Sequence, residues 1–246
     1  MPVSIAIVTK NEEANIEAAL ESVKGAVEIV IIDSFSSDKT VEICRGYTDK
    51  VFQKEWGGYA KQKQTAVDLA AGPWVFVLDA DERFTPELKT EVINAIEEAR
   101  YDGFYVPRKN FFMKRWIRHG GWWPDYTLRL FRKDSGRFED REVHEKVVIK
   151  GNTAYLKNPL LHYTYDSISD YLKGADIYST LAAKELKKNG AAPNAFDLIM
   201  RPMATFIKMF FLRLGFLDGR YGLALAMLYS YYSFLKYAKA WEMRQK

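Results

Sequence analysis

Three short apolar runs constrain this chain more than any other feature. Residues 3–9, 27–32 and 74–78 are rich in β-branched and large apolar side chains. Each stops at polar groups: Thr9 with Asn11 and Glu12, then Asp33, then Asp79 with Asp81 and Glu82. Runs of this length, bounded by turn residues, read as strands buried on both faces of a sheet. Helical stretches separate them. Asn11 offers an N-cap, Glu12 and Glu13 favour the positive end of a helix dipole, and Ile16, Ala19, Leu20 and Val23 mark one face up to Gly25. A second helix follows the turn at 34–38, with Val41 and Cys44 on its apolar face, and Val51 and Phe52 suit a short strand. A third helix is expected over 59–71 with Lys61 and Lys63 near its start, and Thr85 with Pro86 opens a fourth. This alternation predicts an α/β fold whose mostly parallel sheet is covered on both faces.

In such sheets the carboxyl ends of the strands form the ligand-binding edge. Three polar strand ends on one rim predict a crevice, whereas Asp79 and Asp81 taken alone could be a solvated acidic turn. Hard oxygen ligands held close together suit Mg²⁺ or Mn²⁺, ions that usually come with substrate phosphates. No Gly-x-Gly-x-x-Gly follows the first strand and no Gly-Lys-Ser/Thr loop occurs, which argues against dinucleotide and P-loop chemistry. A nucleotidyltransferase would ordinarily carry a glycine-rich basic loop after the first strand, and residues 9–13 hold no glycine.

The segments at 4–13, 30–40 and 76–82, in this order and spacing, resemble glycosyltransferase family 2. The resemblance implies a GT-A fold, a nucleotide-sugar donor, a divalent metal and inversion at the anomeric carbon. It places Asp33 on the nucleotide base, Thr9, Asn11 and Glu12 beside the nucleoside, Asp79 near the ribose or a metal-bound water, and Asp81 on the metal. The sequence departs from the family at Ser34-Phe35-Ser36, where Asp-Gly-Ser is usual.

Displacing a nucleoside diphosphate requires stabilisation of charge on the leaving phosphates, which a metal and cationic side chains supply. Arg129 and Arg132 are candidates for that contact, although either one alone reads more readily as a solvated strand arginine, and Lys63 is a further candidate for binding the donor. Inversion in one displacement requires a single general base; a pair of catalytic carboxylates would suggest hydrolysis. Glu145 is the expected base, with His144 orienting it or touching a phosphate; Asp125 and Asp140 are its rivals. His162 follows an apolar strand and is the expected third metal ligand, or else a structural histidine, while His119 reads as a surface loop residue. Trp122 and Trp123 either stack on a sugar or plug the core. The sets around 121–125, 128–132, 143–145, 162–165 and 212–222 narrow the resemblance to bacterial enzymes that add glucose, β-1,4 and from UDP-glucose, to the inner-core heptose of lipopolysaccharide. Capsule, exopolysaccharide or lipid-carrier glycans are alternative acceptors. A non-catalytic membrane-bound scaffold is a second class of reading, and it predicts a broken acid set.

The formal net charge is +4, yet from Lys184 onward eleven Lys or Arg face four Asp or Glu. That surplus sits among aromatic segments at 202–217 and 221–240, after a helix expected over 167–189. A basic, aromatic tail suggests an anionic partner. The uncharged run at 221–235 is shorter than the roughly twenty residues of a spanning helix. Interfacial helices on an anionic membrane therefore fit better than nucleic acid, with ordinary core packing or a dimer contact as the alternative. One cysteine, Cys44, excludes an internal disulfide and reads as a buried inert thiol, and the first residues lack a secretion signal. The expected organisation is a GT-A domain over 1–165 and a helical region over 166–246, peripheral on the cytoplasmic face of a bacterial inner membrane.

Overall fold

The computed structural model describes residues 1–139 and 146–245. Contacts divide the chain into two compact units, one of Met1–Arg108 with Asp125–His162, the other of Lys109–Pro124 with Tyr163–Lys246.

In the first unit the order is β1 (Ser4–Thr9), α1 (Ile16–Ser22), β2 (Glu28–Asp33), α2 (Thr40–Arg45), β3 (Val51–Gln53), α3 (Tyr59–Leu69), β4 (Trp74–Asp79), β5 (Glu82–Arg83) and α4 (Pro86–Glu98). β6 (Gly103–Phe112) leads out of this unit, and β7 (Arg115–Trp116) belongs to the other. β8 (Asp125–Arg132), β9 (Gly136–Phe138), β10 (Val147–Ile149), β11 (Thr153–Tyr155) and the start of β12 (Leu160–Tyr165) complete it. The strands run β3-β2-β1-β4-β8-β6-β12-β5. The first four are parallel. β8 then turns antiparallel to β4, and β6 to β8. The sheet is therefore mixed and GT-A-like.

Alternation along the strands sorts two cores. Ile5, Ile7, Ile31, Phe76 and Leu78 pack on one face with Leu20 of α1 and Leu88 and Val92 of α4. Ala6, Val30, Ile32, Val75 and Val77 face the other way, onto Ala66 and Val67 of α3. Each large side chain buried in this way contributes about 1.5–3 kcal/mol. Thr85 caps α4 by accepting from the Leu88 N–H at 3.2 Å, and Pro86 sits at its start. The expected cap at Asn11 is corrected. Asn11 takes a left-handed φ of 54°, and its side-chain oxygen accepts from the Ser37 N–H at 2.8 Å. The first helix begins only at Ile16.

The second unit holds α5 (Ile168–Lys188), α6 (Ala195–Ile207), a π-helical turn (Lys208–Leu212), a 3₁₀ turn (Gly215–Asp218) and α7 (Arg220–Gln245). Its core is Phe112, Ile117, Trp122, Met209, Leu225 and Ala226, so Trp122 plugs the core. α6 starts seven residues before Pro202 and runs through it; a capping box between Asn194 and Asp197 nucleates it ahead of the proline. α7 packs on α5 and α6. Lys239 of α7 donates to the Asp176 carboxylate at 2.6 Å and the Thr180 hydroxyl at 2.8 Å. Buried Asp218 accepts from the backbone N–H groups of Arg118 and His119 at 3.1 and 2.8 Å. His119 is half-buried beside it rather than a free surface residue. A Cβ on Gly222 would lie 1.8 Å from the Gly215 carbonyl oxygen, so the turn and α7 meet backbone to backbone. Among the described residues no helix is long and apolar enough to cross a membrane.

Candidate active site

Register brings the three polar strand ends level. Thr9 pairs with Asp33, and Val8 with Asp79, on the carboxyl edge of the parallel strands. Asp33 is fully buried. It accepts from the Ser36 N–H at 2.9 Å and from Gln53 Nε2 at 3.2 Å, and the Ser36 hydroxyl donates to its other oxygen. Phe35, standing where the family pattern has glycine, adopts the left-handed φ of 54° that glycine would supply, with its ring exposed. The turn is kept at a cost of about 1 kcal/mol. The Asn11 N–H donates to the Ser36 hydroxyl at 2.8 Å, tying the first strand end to the second. The Thr9 hydroxyl is buried with no hydrogen-bond partner among the described residues.

Both oxygens of Asp79 are engaged by cations. Lys63 Nζ lies 2.8 Å from Oδ1 and Arg129 Nη2 lies 2.5 Å from Oδ2. Both cations are buried. Burial alone would raise the Asp79 carboxyl, but Arg129 and Lys63 outweigh it and hold the group well below its ordinary range. Lys63 and Arg129, both expected to bind the donor, are thus partners of an acid expected near the ribose or metal. Arg132 is directed elsewhere, over the Trp74 ring at 4.9 Å and toward Asp102 at 3.6 Å.

Sequence reasoning missed the centre of this network. Glu82 is fully buried. It accepts from the Asp79 N–H at 3.1 Å and from Arg129 Nη2 at 2.5 Å, and Arg108 Nη1 lies 3.6 Å away. Arg108 in turn holds Asp125 at 2.6 Å, so that rival for the base sits in an ion pair. The one signal was a third carboxylate in a row already crowded with two.

Asp81 points at His162, Oδ2 to Nε2 at 3.2 Å. The backbone explains the meeting, because His162 of β12 pairs with Glu82 of β5, next to Asp81. Burial pulls the imidazole pKa down, but the Asp81 charge more than reverses it. Glu12 also feels this acid. Burial first, and then the charges of Asp81 and Asp38, raise its pKa, against the bond from Asn15 Nδ2 at 2.9 Å. Among the described residues no three His, Cys, Asp or Glu converge as a ready-made metal cage. Glu145, His144 and Asp140 lie outside the described residues. Cys44 is buried, which pushes its thiol up to about 12 and makes it inert.

Comparison with known proteins agrees with this geometry. The glycosyl transferase family 2 model matches residues 4–163. The lipopolysaccharide core biosynthesis glycosyltransferase LpsC of Rhizobium meliloti (strain 1021) is 32% identical over 257 residues, covering 98% of this chain and 93% of LpsC. An uncharacterized glycosyltransferase of Rickettsia bellii (strain RML369-C) is 33% identical, covering 98% of this chain and 86% of its own length. The structure of S. aureus TarS 1-349 in complex with UDP-GlcNAc matches with a TM-score of 0.54 and 17% identity, over 100% of this chain and 92% of that one, a likeness of fold. The chain belongs to glycosyltransferase family 2 and is a glycosyltransferase with a GT-A-like fold.

Proposed function

We propose that this enzyme transfers a hexose, glucose from UDP-glucose, with inversion onto a lipid-linked glycan such as the inner-core heptose of lipopolysaccharide. The observation that carries the reading is the Asp81–His162 pair, which stands on the sheet edge that also presents buried Asp33 and Thr9. The role of LpsC in lipopolysaccharide core biosynthesis supports the acceptor class.

Asp33 reads the base, and the unpartnered Thr9 hydroxyl and Glu12 border the nucleoside. Asp81 would suit Mg²⁺ or Mn²⁺, since such ions are held through one or two carboxylates with water and phosphate oxygens in the remaining positions, and His162 at 3.2 Å from Asp81 would be the further ligand. When bound, the ion offsets the charge that develops on the departing diphosphate. Asp79 supports this set as an anchor: Lys63 and Arg129 keep it ionised, and Glu82 fixes its N–H. Glu145 takes the proton of the acceptor hydroxyl, and His144 orients it or contacts a phosphate.

Docking to the acceptor's membrane falls to α6 and the turn after it, within the helical region. Phe196, Ile199, Met203, Ile207, Phe211 and Leu212 are exposed, and α6 buries no residue fully. Arg201, Lys208 and Arg213 border them, the mix expected of a helix lying in an anionic interface. The test is a transfer assay with UDP-glucose and a heptose-terminated acceptor. Glu145→Gln should bind donor like wild type and transfer at least about a hundredfold more slowly. Full activity in that variant would move the base to Asp125 or Asp140.

A further inference from the structure

Between the paired residues Arg108 and Asp125 the chain makes an excursion into the second unit, Lys109–Pro124. Residues 108–118 carry five basic side chains and no acid. A tight hairpin folds them. Phe111 and Phe112 of β6 pair with Trp116 and Arg115 of β7, and Tyr163 stacks on Phe111 at 5.0 Å. The connecting residues Met113 and Lys114 both adopt positive φ, 50° and 63°. Two-residue turns of this kind usually take Asn-Gly, and backbone strain without glycine gathers where a chain serves a ligand.

The alternation of a strand then decides what faces where. Asn110 turns inward and donates to the Trp122 carbonyl at 3.1 Å. Lys109 and Phe111 share the opposite face, with Trp116 across from Phe111. Lys109 Nζ accordingly lies 4.3 Å from the centre of the Trp116 ring and 5.8 Å from that of Phe111. The Arg118 guanidinium lies 4.3 Å from the same Trp116 ring. Trp123 meets Trp116 edge-on at 5.5 Å. Two cations therefore share one indole, and among the described residues neither has a carboxylate partner. As packing alone this is a poor arrangement, since like charges gathered on one ring repel and, among the described residues, the nearby Asp218 carboxylate is taken up by the backbone N–H groups of Arg118 and His119 rather than by either cationic head. An anion between them removes the repulsion, and the half-buried indole offers an apolar surface to the C–H face of a sugar ring.

We infer that Lys109, Trp116 and Arg118 form a recognition platform for a phosphorylated sugar on the acceptor. The inference rests on the glycan-acceptor reading above and adds to it that the acceptor must be anionic close to the sugar the enzyme engages. The indole N–H of Trp116 is buried and has no hydrogen-bond partner among the described residues, so its resonance follows changes in the surroundings of the ring.

The experiment is a titration of the full chain with mannose 6-phosphate, mannose, inorganic phosphate and phosphatidylglycerol vesicles. The read-out is the ¹⁵N–¹H signal of the Trp116 indole, assigned with Trp116→Phe. Mannose 6-phosphate should shift the signal more tightly than phosphate, and mannose should leave it unmoved. Lys109→Gln and Arg118→Gln, both partly or fully exposed positions, should each weaken the sugar phosphate by about tenfold, the loss of one charge-assisted hydrogen bond. Equal binding of mannose, equal binding of bare phosphate, indifference to both substitutions, or a response to vesicles alone would each overturn the platform. Transfer from UDP-glucose is assayed on the same sample. Transfer to a neutral glycan without sugar-phosphate binding refutes the platform and leaves the transferase reading intact; sugar-phosphate binding without transfer to any acceptor supports the platform and removes that reading.

Discussion

At the level of single residues, the two acids of the Asp-x-Asp pair have different surroundings and should fail differently. Asp79 neutralises two buried cations. Asp79→Asn should lose about 3–5 kcal/mol of stability in urea denaturation, because Lys63 and Arg129 keep their charges without a counter-ion. Asp81 faces a single imidazole, which can shed its proton where Lys63 and Arg129 cannot, so Asp81→Asn should keep more of the stability while transfer falls by about a hundredfold or more. Equal stability of the two variants would show that the Asp79 pairs matter little. Glu28, at the far end of β2, is a purely structural acid. Burial would raise its pKa, but bonds from Lys50, the Ser4 hydroxyl at 2.6 Å and the Ala71 N–H at 2.8 Å bring it down to about 2. The folded form thus holds its proton less tightly than the unfolded chain, whose ordinary value is 4.5. Its contribution is complete above that value and disappears as pH falls toward 2. Glu28→Gln should lower the neutral-pH stability and flatten the acid limb of the stability profile over that range.

At the level of elements, strand ends are legible in sequence and cross-strand partners are not. Thr9, Asp33 and Asp79 could be placed on one rim because parallel strands with helical crossovers leave little freedom in direction. Glu82 and Arg108 could not be paired in advance. Their meeting depends on β8 running antiparallel to β4 and on β12 returning beside β5, neither of which leaves a local trace. Asn11 misled for a similar reason: its side-chain oxygen serves the neighbouring loop rather than the helix that follows. The start of α6 was hidden by Pro202, which looks like a boundary and is not one. That helix carries its own prediction. Ile199→Glu together with Met203→Glu, on its exposed face, should strongly reduce sedimentation with anionic vesicles while the circular dichroism spectrum stays unchanged. Retention on vesicles would remove α6 from the membrane reading. Asn194→Ala should cost about 1 kcal/mol through the lost cap.

For the molecule as a whole, charge and hydropathy are divided along the chain. The segment from Lys184 onward carries the basic surplus, and exposed apolar side chains gather in the same region. Vesicle binding should therefore depend on both lipid charge and salt: strong on anionic bilayers at low ionic strength, weaker as salt screens the basic residues, and reduced but not lost on neutral lipid. Salt-independent binding would leave burial of apolar surface as the only force. The seat of α7 on the preceding turn depends on the absence of a single side chain. Gly222 lies directly against the carbonyl of Gly215. Position 222 therefore admits nothing larger than hydrogen while the turn and the helix keep this spacing, and Gly222→Ala would force the two backbones apart.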